Sequence, residues 1–184
     1  MDLKHGSNMA MSTGLSLRQE NITMEFRRIL APTDFSKLSE QGLKSALELA
    51  ETFGAKLLLL HVVEPPPYPV EGIVPSHLGA TLLDDLERQA SNELAQVLSA
   101  TQASKVEVAR RVAVGIPYRK IVEVAEEEHS DLIVMTTHGR TGLSHLVMGS
   151  VAEKIVRTAP CPVLTIRPTT GTAHAGSARA ASDG

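Results

Sequence analysis

Five short apolar runs alternate with four segments of helical period, and this alternation constrains the fold more than any other feature of the chain. The runs are "RRILAPTD" (27–34), "AKLLLLHVVE" (55–64), "KVEVARRVAVG" (105–115), "SDLIVMTT" (130–137) and "CPVLTIR" (161–167). Between the first two, Leu43, Ala46, Leu47, Ala50 and Phe53 recur at helical spacing, which predicts a helix over 36–53 with Gly54 as its stop. Leu83, Leu86, Ala90, Leu94 and Val97 mark a second helix. "PYRKIVEVAEEEH" (117–129) is a third, with Pro117 suited to its first turn, and residues 150–158 form a fourth. The strands are nearly continuously apolar, so helices must cover both of their faces. The βαβαβαβαβ order predicts an α/β fold: a single open five-stranded parallel sheet, Rossmann-like, with helices on both faces. The third run is the most polar and is expected nearer an edge. Prolines make most of "PPPYPVEGIVPSHLG" (65–79) irregular.

The domain is read as 26–168. Residues 1–25 are polar and irregular, and 169–184 are small and polar; neither has a face to bury, so both are expected to be disordered. Hydrophobic residues make up 42% of the 184, enough for a core, but aromatics only 3%, so that core must be aliphatic. Few aromatics also argue against a base-stacking platform. With 18 Lys and Arg against 21 Asp and Glu, there is no general attraction to nucleic acid or anionic lipid. One cysteine, Cys161, excludes an internal disulfide and a cysteine-based zinc site. No apolar run approaches the length of a membrane span and no signal core is evident, so the expected compartment is the cytoplasm.

In open α/β sheets, ligands bind beyond the carboxyl ends of the strands where the strand order reverses. Polar material stands at two such ends: Pro32, Thr33 and Asp34 after the first strand, and "TTHGRTGLSHLVMGS" (136–150) after the fourth. If both serve one site, strands one and four are neighbours, which predicts the order 3-2-1-4-5, with the end of strand two, "HVVE" (61–64), bordering the same crevice. The loop is longer than the roughly two to six residues of a plain connection. Gly139, Gly142 and Gly149 allow backbone amides to approach a ligand, and the helix that follows opens with unpaired N–H groups, an arrangement suited to phosphate. Arg140 and the hydroxyls of Thr136, Thr137 and Ser150 add donors. Against this, Ser150 and Glu153 also fit a capping box, which requires no ligand.

Other residues carry two readings each. Asp34 is a candidate nucleoside partner or a cap for the helix beginning near Ser36. His138 either contacts phosphate or orders the loop. His61 reads as a satisfied core histidine and Cys161 as the start of a buried strand. His145 and Ser144 are sequence neighbours but lie outside a nucleophile-elbow motif. The lysine-centred phosphate loop of fast nucleotide hydrolases is absent.

These blocks, "ILAPTDFS", "LLLLHVVE", "SDLIVMTTHGRTGL" and "MGSVAEKIVRTAPCPVLTI", in this order, resemble the universal stress protein family from about 27 to 167. Its nucleotide-binding branch carries G-x2-G-x9-G-[S/T]; Gly139, Gly149 and Ser150 fit, while Thr136 stands where the first glycine is expected. The resemblance implies ATP, or AMP or ADP, with Mg2+ as a companion of the phosphates. It places the phosphates over Gly139–Gly142 and Gly149, Ser150, Val151 and Ala152, and the nucleoside near Pro32, Thr33 and Asp34. The backbone of Val62 or Val63 would meet the adenine edge, with Met135 packed nearby. It also implies a homodimer through 162–167, whose apolar strand lies at a sheet edge and lacks lysine. The expected role is a nucleotide-binding stress or signalling module; the alternatives are a relative acting only through protein contacts, for which Thr136 speaks, and a slow ATPase.

Overall fold

The computed structural model describes residues 25–65, 76–98, 105–137 and 148–167. They form β1 (Arg28–Thr33), α1 (Lys37–Phe53), β2 (Lys56–Val63), α2 (Ser76–Gln96), β3 (Val108–Val114), α3 (Pro117–Glu127), β4 (Leu132–Thr136), α4 (Ser150–Thr158) and β5 (Val163–Ile166). The five strands make one sheet in the order β3-β2-β1-β4-β5, every pairing parallel, as expected from the placement of the polar strand ends.

Alternating side chains of the strands feed two cores. Ile29, Ala31, Leu57, Leu59, Leu132 and Val134 pack with Leu43, Ala46, Leu47 and Ala50 of α1 and with Leu94 of α2. Leu30, Leu60, Ile133 and Met135 face the other way, against Ile121, Val124 and Ala125 of α3 and Ala152 and Ile155 of α4. Helices α1 and α2 therefore cover one face and α3 and α4 the other. Burial on both sides is why the central strands read as continuous apolar runs.

Local chemistry sets the ends of the elements. Ser36 caps α1: its side chain accepts the N–H of Ser39. Gly54 stops the helix in the left-handed region at φ 64°, with its N–H bonded to the carbonyl of Ala50. Helix α2 begins at Ser76, earlier than its apolar stripe suggested. The side chain of Arg110 from β3 closes the far end of α2 by donating to the carbonyls of Leu94 at 3.1 Å and Val97 at 3.2 Å. Residues 105–107 precede β3 rather than belonging to it. Both expected terminal tails and most of the proline-rich segment lie outside the described residues. Within the described residues no helix is long and apolar enough to cross a membrane.

Candidate functional site

A cleft of about 670 Å³ opens at the carboxyl ends of β1, β2 and β4, where the strand order reverses. Its size falls within the range of small-molecule sites, about 300–1,000 Å³. Pro32, Thr33 and Asp34, Val62 and Val63, Met135 and Thr136, and Gly149, Ser150, Val151 and Ala152 all line it, so the candidates from four separate segments converge on one cavity. His138, Gly139, Arg140 and Gly142 lie outside the described residues.

The β1–α1 turn forms one wall. Ser39 Oγ donates to the carbonyl of Ser36 at 2.8 Å, so Thr33 Oγ is the donor in its 3.1 Å contact with Ser39 Oγ. Thr33 Oγ in turn accepts the N–H of Phe35 at 3.1 Å. Asp34 accepts the N–H of Ser36 at 3.1 Å. It thus shapes the turn before the helix, and the cap is Ser36 rather than Asp34. Phe35 sits between them at φ 62°, a left-handed conformation that a residue with a Cβ enters at a cost of about 1–2 kcal/mol. Its ring stacks on His61 with centroids 4.1 Å apart and planes 22° from parallel. His61 Nδ1 lies 2.8 Å from the carbonyl oxygen of Thr33; a carbonyl cannot donate, so Nδ1 carries the proton. The histidine is buried and bonded, as a core residue should be, yet it also lines the cleft.

A second wall is the start of α4. Its cap is Gly149, extended at φ −61° and ψ 147°, and among the described residues no side chain caps the helix end. The capping-box reading of Ser150 and Glu153 is therefore incorrect. Ser150 is already the first helical residue, one position too late to cap, and Glu153 turns along the surface to pair with Arg157 at 3.0 Å. The first intrahelical bond runs from the N–H of Glu153 to the carbonyl of Gly149 at 2.9 Å. The amides of Ser150, Val151 and Ala152 consequently have no acceptor within the helix, and all three residues line the cleft. The N–H of Gly149 is anchored on the carbonyl of Thr137 at 2.8 Å.

Thr136 ends β4 in strand pairing with Ile166 and is buried. The only non-glycine residues at positive φ among those described are Phe35, Leu98 and His129, so Thr136 carries no left-handed strain. At the end of β2, the carbonyl of Val63 accepts the N–H of Gly115 at 2.9 Å. The sequence reading missed a third wall: Leu86, Gln89, Ala90 and Glu93 of α2 line the cleft, as do Pro117 and Ile121 of α3. The spacing of the α2 residues marks one helical face, but nothing local says that this face meets a cavity as well as a core. Three carboxylates, Asp34, Glu64 and Glu93, line the cleft, and among the described lining residues there is no lysine or arginine. No three His, Cys, Asp or Glu side chains gather as a metal site among the described residues. Cys161 is half-buried just before β5, and burial pushes its thiol up from the ordinary range.

Comparison with known proteins places this cleft in context. The universal stress protein family model matches residues 25–167. A universal stress protein of Methanocaldococcus jannaschii is 34% identical over 146 residues, spanning 77% of this chain and 82% of the relative. Among solved structures, universal stress protein UspA from Lactobacillus plantarum superposes with a TM-score of 0.69 at 26% identity, covering 79% of this chain and 100% of that one. The universal stress protein from Archaeoglobus fulgidus, solved in complex with dAMP, superposes with a TM-score of 0.54 at 23% identity, covering 77% of this chain and 98% of that one. With the family model spanning the whole described domain and relatives matched over most of their length, this chain belongs to the universal stress protein family.

Proposed function

We propose that the protein is a cytoplasmic adenine-nucleotide-binding module, taking ATP or its mono- and diphosphate relatives, which senses or stores the nucleotide rather than turning it over rapidly. One observation carries this reading. At the switch point of the sheet, a single cleft has amides without helical acceptors at one end and a carboxylate-bearing turn at the other. Phosphates suit the first end, where Gly149, Ser150, Val151 and Ala152 present N–H groups and the helix dipole favours negative charge. His138, Gly139, Arg140 and Gly142 join them in this reading. Ribose and adenine, which carry hydroxyl and amino donors, suit the other end. Asp34 accepts from the sugar, Pro32 and Thr33 shape its seat, the backbone of Val62 or Val63 meets the adenine edge, and Met135 packs against the base. Mg2+ would enter with the phosphates, and Asp34, the residue after β1, is one of the three carboxylates that line the cleft. The dAMP complex of the Archaeoglobus fulgidus relative supports the choice of an adenine nucleotide.

Purified protein, denatured and run over an anion-exchange column, should release an adenine nucleotide. A folded preparation that releases none, and that also fails to bind added ATP, favours a role through protein contacts alone. Turnover with Mg2+ faster than about one per minute would instead make it an ATPase, far below the roughly 1–10³ per second of ordinary enzymes.

We further propose a homodimer through 162–167. β5 is an edge strand, and Leu164 is 38% exposed on it. An apolar edge without lysine invites a second strand, and a two-fold axis would place the same strand there in antiparallel pairing. Light scattering at micromolar concentration should show a dimer that Leu164→Pro and Thr165→Lys weaken. A monomeric wild type, or a dimer indifferent to both changes, places any interface elsewhere.

A further inference from the structure

Helix α1 lies across β1 and β4, and Gly42 faces the sheet from its buried side. A Cβ on Gly42 would stand 3.1 Å from Thr136 Cγ2, 3.3 Å from Thr136 N and 3.5 Å from the carbonyl carbon of Met135. Packed carbons prefer about 3.5–4.0 Å, so an alanine there presses on the γ-methyl of Thr136 and on the β4 backbone at once. Helix propensity does not account for this glycine, since alanine is the better helix former in the interior of a helix. Packing accounts for it: the methyl that Thr136 adds to the strand occupies the space that Gly42 leaves on the helix.

The contact falls at a sensitive place. Met135 and Thr136 both line the cleft. The next residue, Thr137, is held on one side by its N–H bond to the carbonyl of Ile166 at 3.0 Å. Its own carbonyl accepts the N–H of Gly149 at 2.8 Å, the residue that caps α4. A displacement of the end of β4 therefore passes through one peptide and one hydrogen bond to the first-turn amides of α4. We infer that Gly42 is a positioning residue for the nucleotide site: with Thr136 it forms a reciprocal pair that sets how far the end of β4 lies from α1, and hence where the α4 amides stand in the cleft. This rests on the nucleotide reading above for its ligand, but the coupling itself does not need one.

The test is a double-mutant cycle of Gly42→Ala, Thr136→Gly and both together, with Ala46→Gly as a control that disturbs α1 away from the end of β4. ATP affinity is read by calorimetry and the amide exchange rate of Gly149 without ligand. Coupled neighbours should be non-additive: Gly42→Ala alone should weaken ATP by about fivefold or more, while adding Thr136→Gly, which removes the methyl contact and leaves the 3.3 Å approach to the strand N, should recover about half of that loss or more. Exchange at Gly149 should accelerate in Gly42→Ala and recover in the double variant. Ala46→Gly should lower the melting temperature with ATP affinity unchanged. Should Gly42→Ala fail to fold, a folded double variant still demonstrates the pairing. The inference is overturned if Gly42→Ala binds ATP and exchanges like the wild type, if the double variant is no better than Gly42→Ala, or if Ala46→Gly weakens binding equally. A wild type that binds no ATP sinks the nucleotide reading instead, and the exchange rates still decide the coupling.

Discussion

Two walls of the cleft, the β1–α1 turn and the start of α4, differ in where their hydrogen bonds go. In the β1–α1 turn, the hydroxyls of Thr33, Ser36 and Ser39 and the carboxylate of Asp34 are tied to one another or to amides of the same turn. This internal bonding, with the stack of Phe35 on His61, holds a left-handed residue in place. At the start of α4 no side chain among the described residues turns back to the helix end, and three consecutive amides are left without intrahelical acceptors. A wall that satisfies itself contributes shape. A wall with donors to spare contributes binding energy to whatever anion reaches it. Asp34 apart, substitutions on the first wall should therefore register mainly in stability and those on the second mainly in affinity.

The largest effect is expected from Gly149→Val. A branched side chain at the cap obstructs backbone approach, and ATP affinity should fall at least tenfold, about 1.4 kcal/mol. Because Gly149 already has an ordinary φ of −61°, the domain should stay folded by circular dichroism. Equal affinities by calorimetry would remove phosphate from this wall. Next is a pair at the strained position. Phe35→Ala and Phe35→Gly lose the same stack on His61, but only glycine also relieves the left-handed backbone. Phe35→Gly should be the more stable by about 1 kcal/mol in urea titrations, the reverse of the order expected in a helix. An alanine variant as stable as the glycine variant would mean that the turn holds no strain.

The comparison becomes sharpest in two serines that look alike in sequence, each opening a helix. Ser36→Ala removes a cap and should cost about 1 kcal/mol, with ATP affinity nearly unchanged. Ser150→Ala removes a hydroxyl that caps nothing and should stay within about 0.5 kcal/mol of the wild type. If thermal melts show the two losses to be equal, the contrast between the walls is wrong.

Much of this architecture was legible in the chain. Apolar runs without alternation required helices on both faces, and polar residues at the ends of β1 and β4 were enough to order the strands. Gly54 announced the end of α1 because left-handed caps favour glycine so strongly. The residues named from the polar strand ends and from the family resemblance do line one cleft, since the carboxyl ends of β1, β2 and β4 meet there. The capping box misled because Ser-x-x-Glu scores the same whether serine is the cap or the first helical residue; the phase is decided by where the incoming chain turns, and here it turns at Gly149.

What the sequence determined by itself was therefore periodic or local: the strands and helices, their order in the sheet, and the residues at strand ends. These follow from hydrophobic spacing and from the backbone preferences of single residues. Only the tertiary structure decided that one face of α2 closes the cleft, that Phe35 is held left-handed by His61, and that Gly42 makes room for Thr136. Each depends on atoms far apart in the chain meeting within a few ångströms. Gly42 and Thr136 are 94 positions apart, yet an added Cβ would approach Thr136 to 3.1 Å. Close packing converts such separations into steric constraints that no local pattern records.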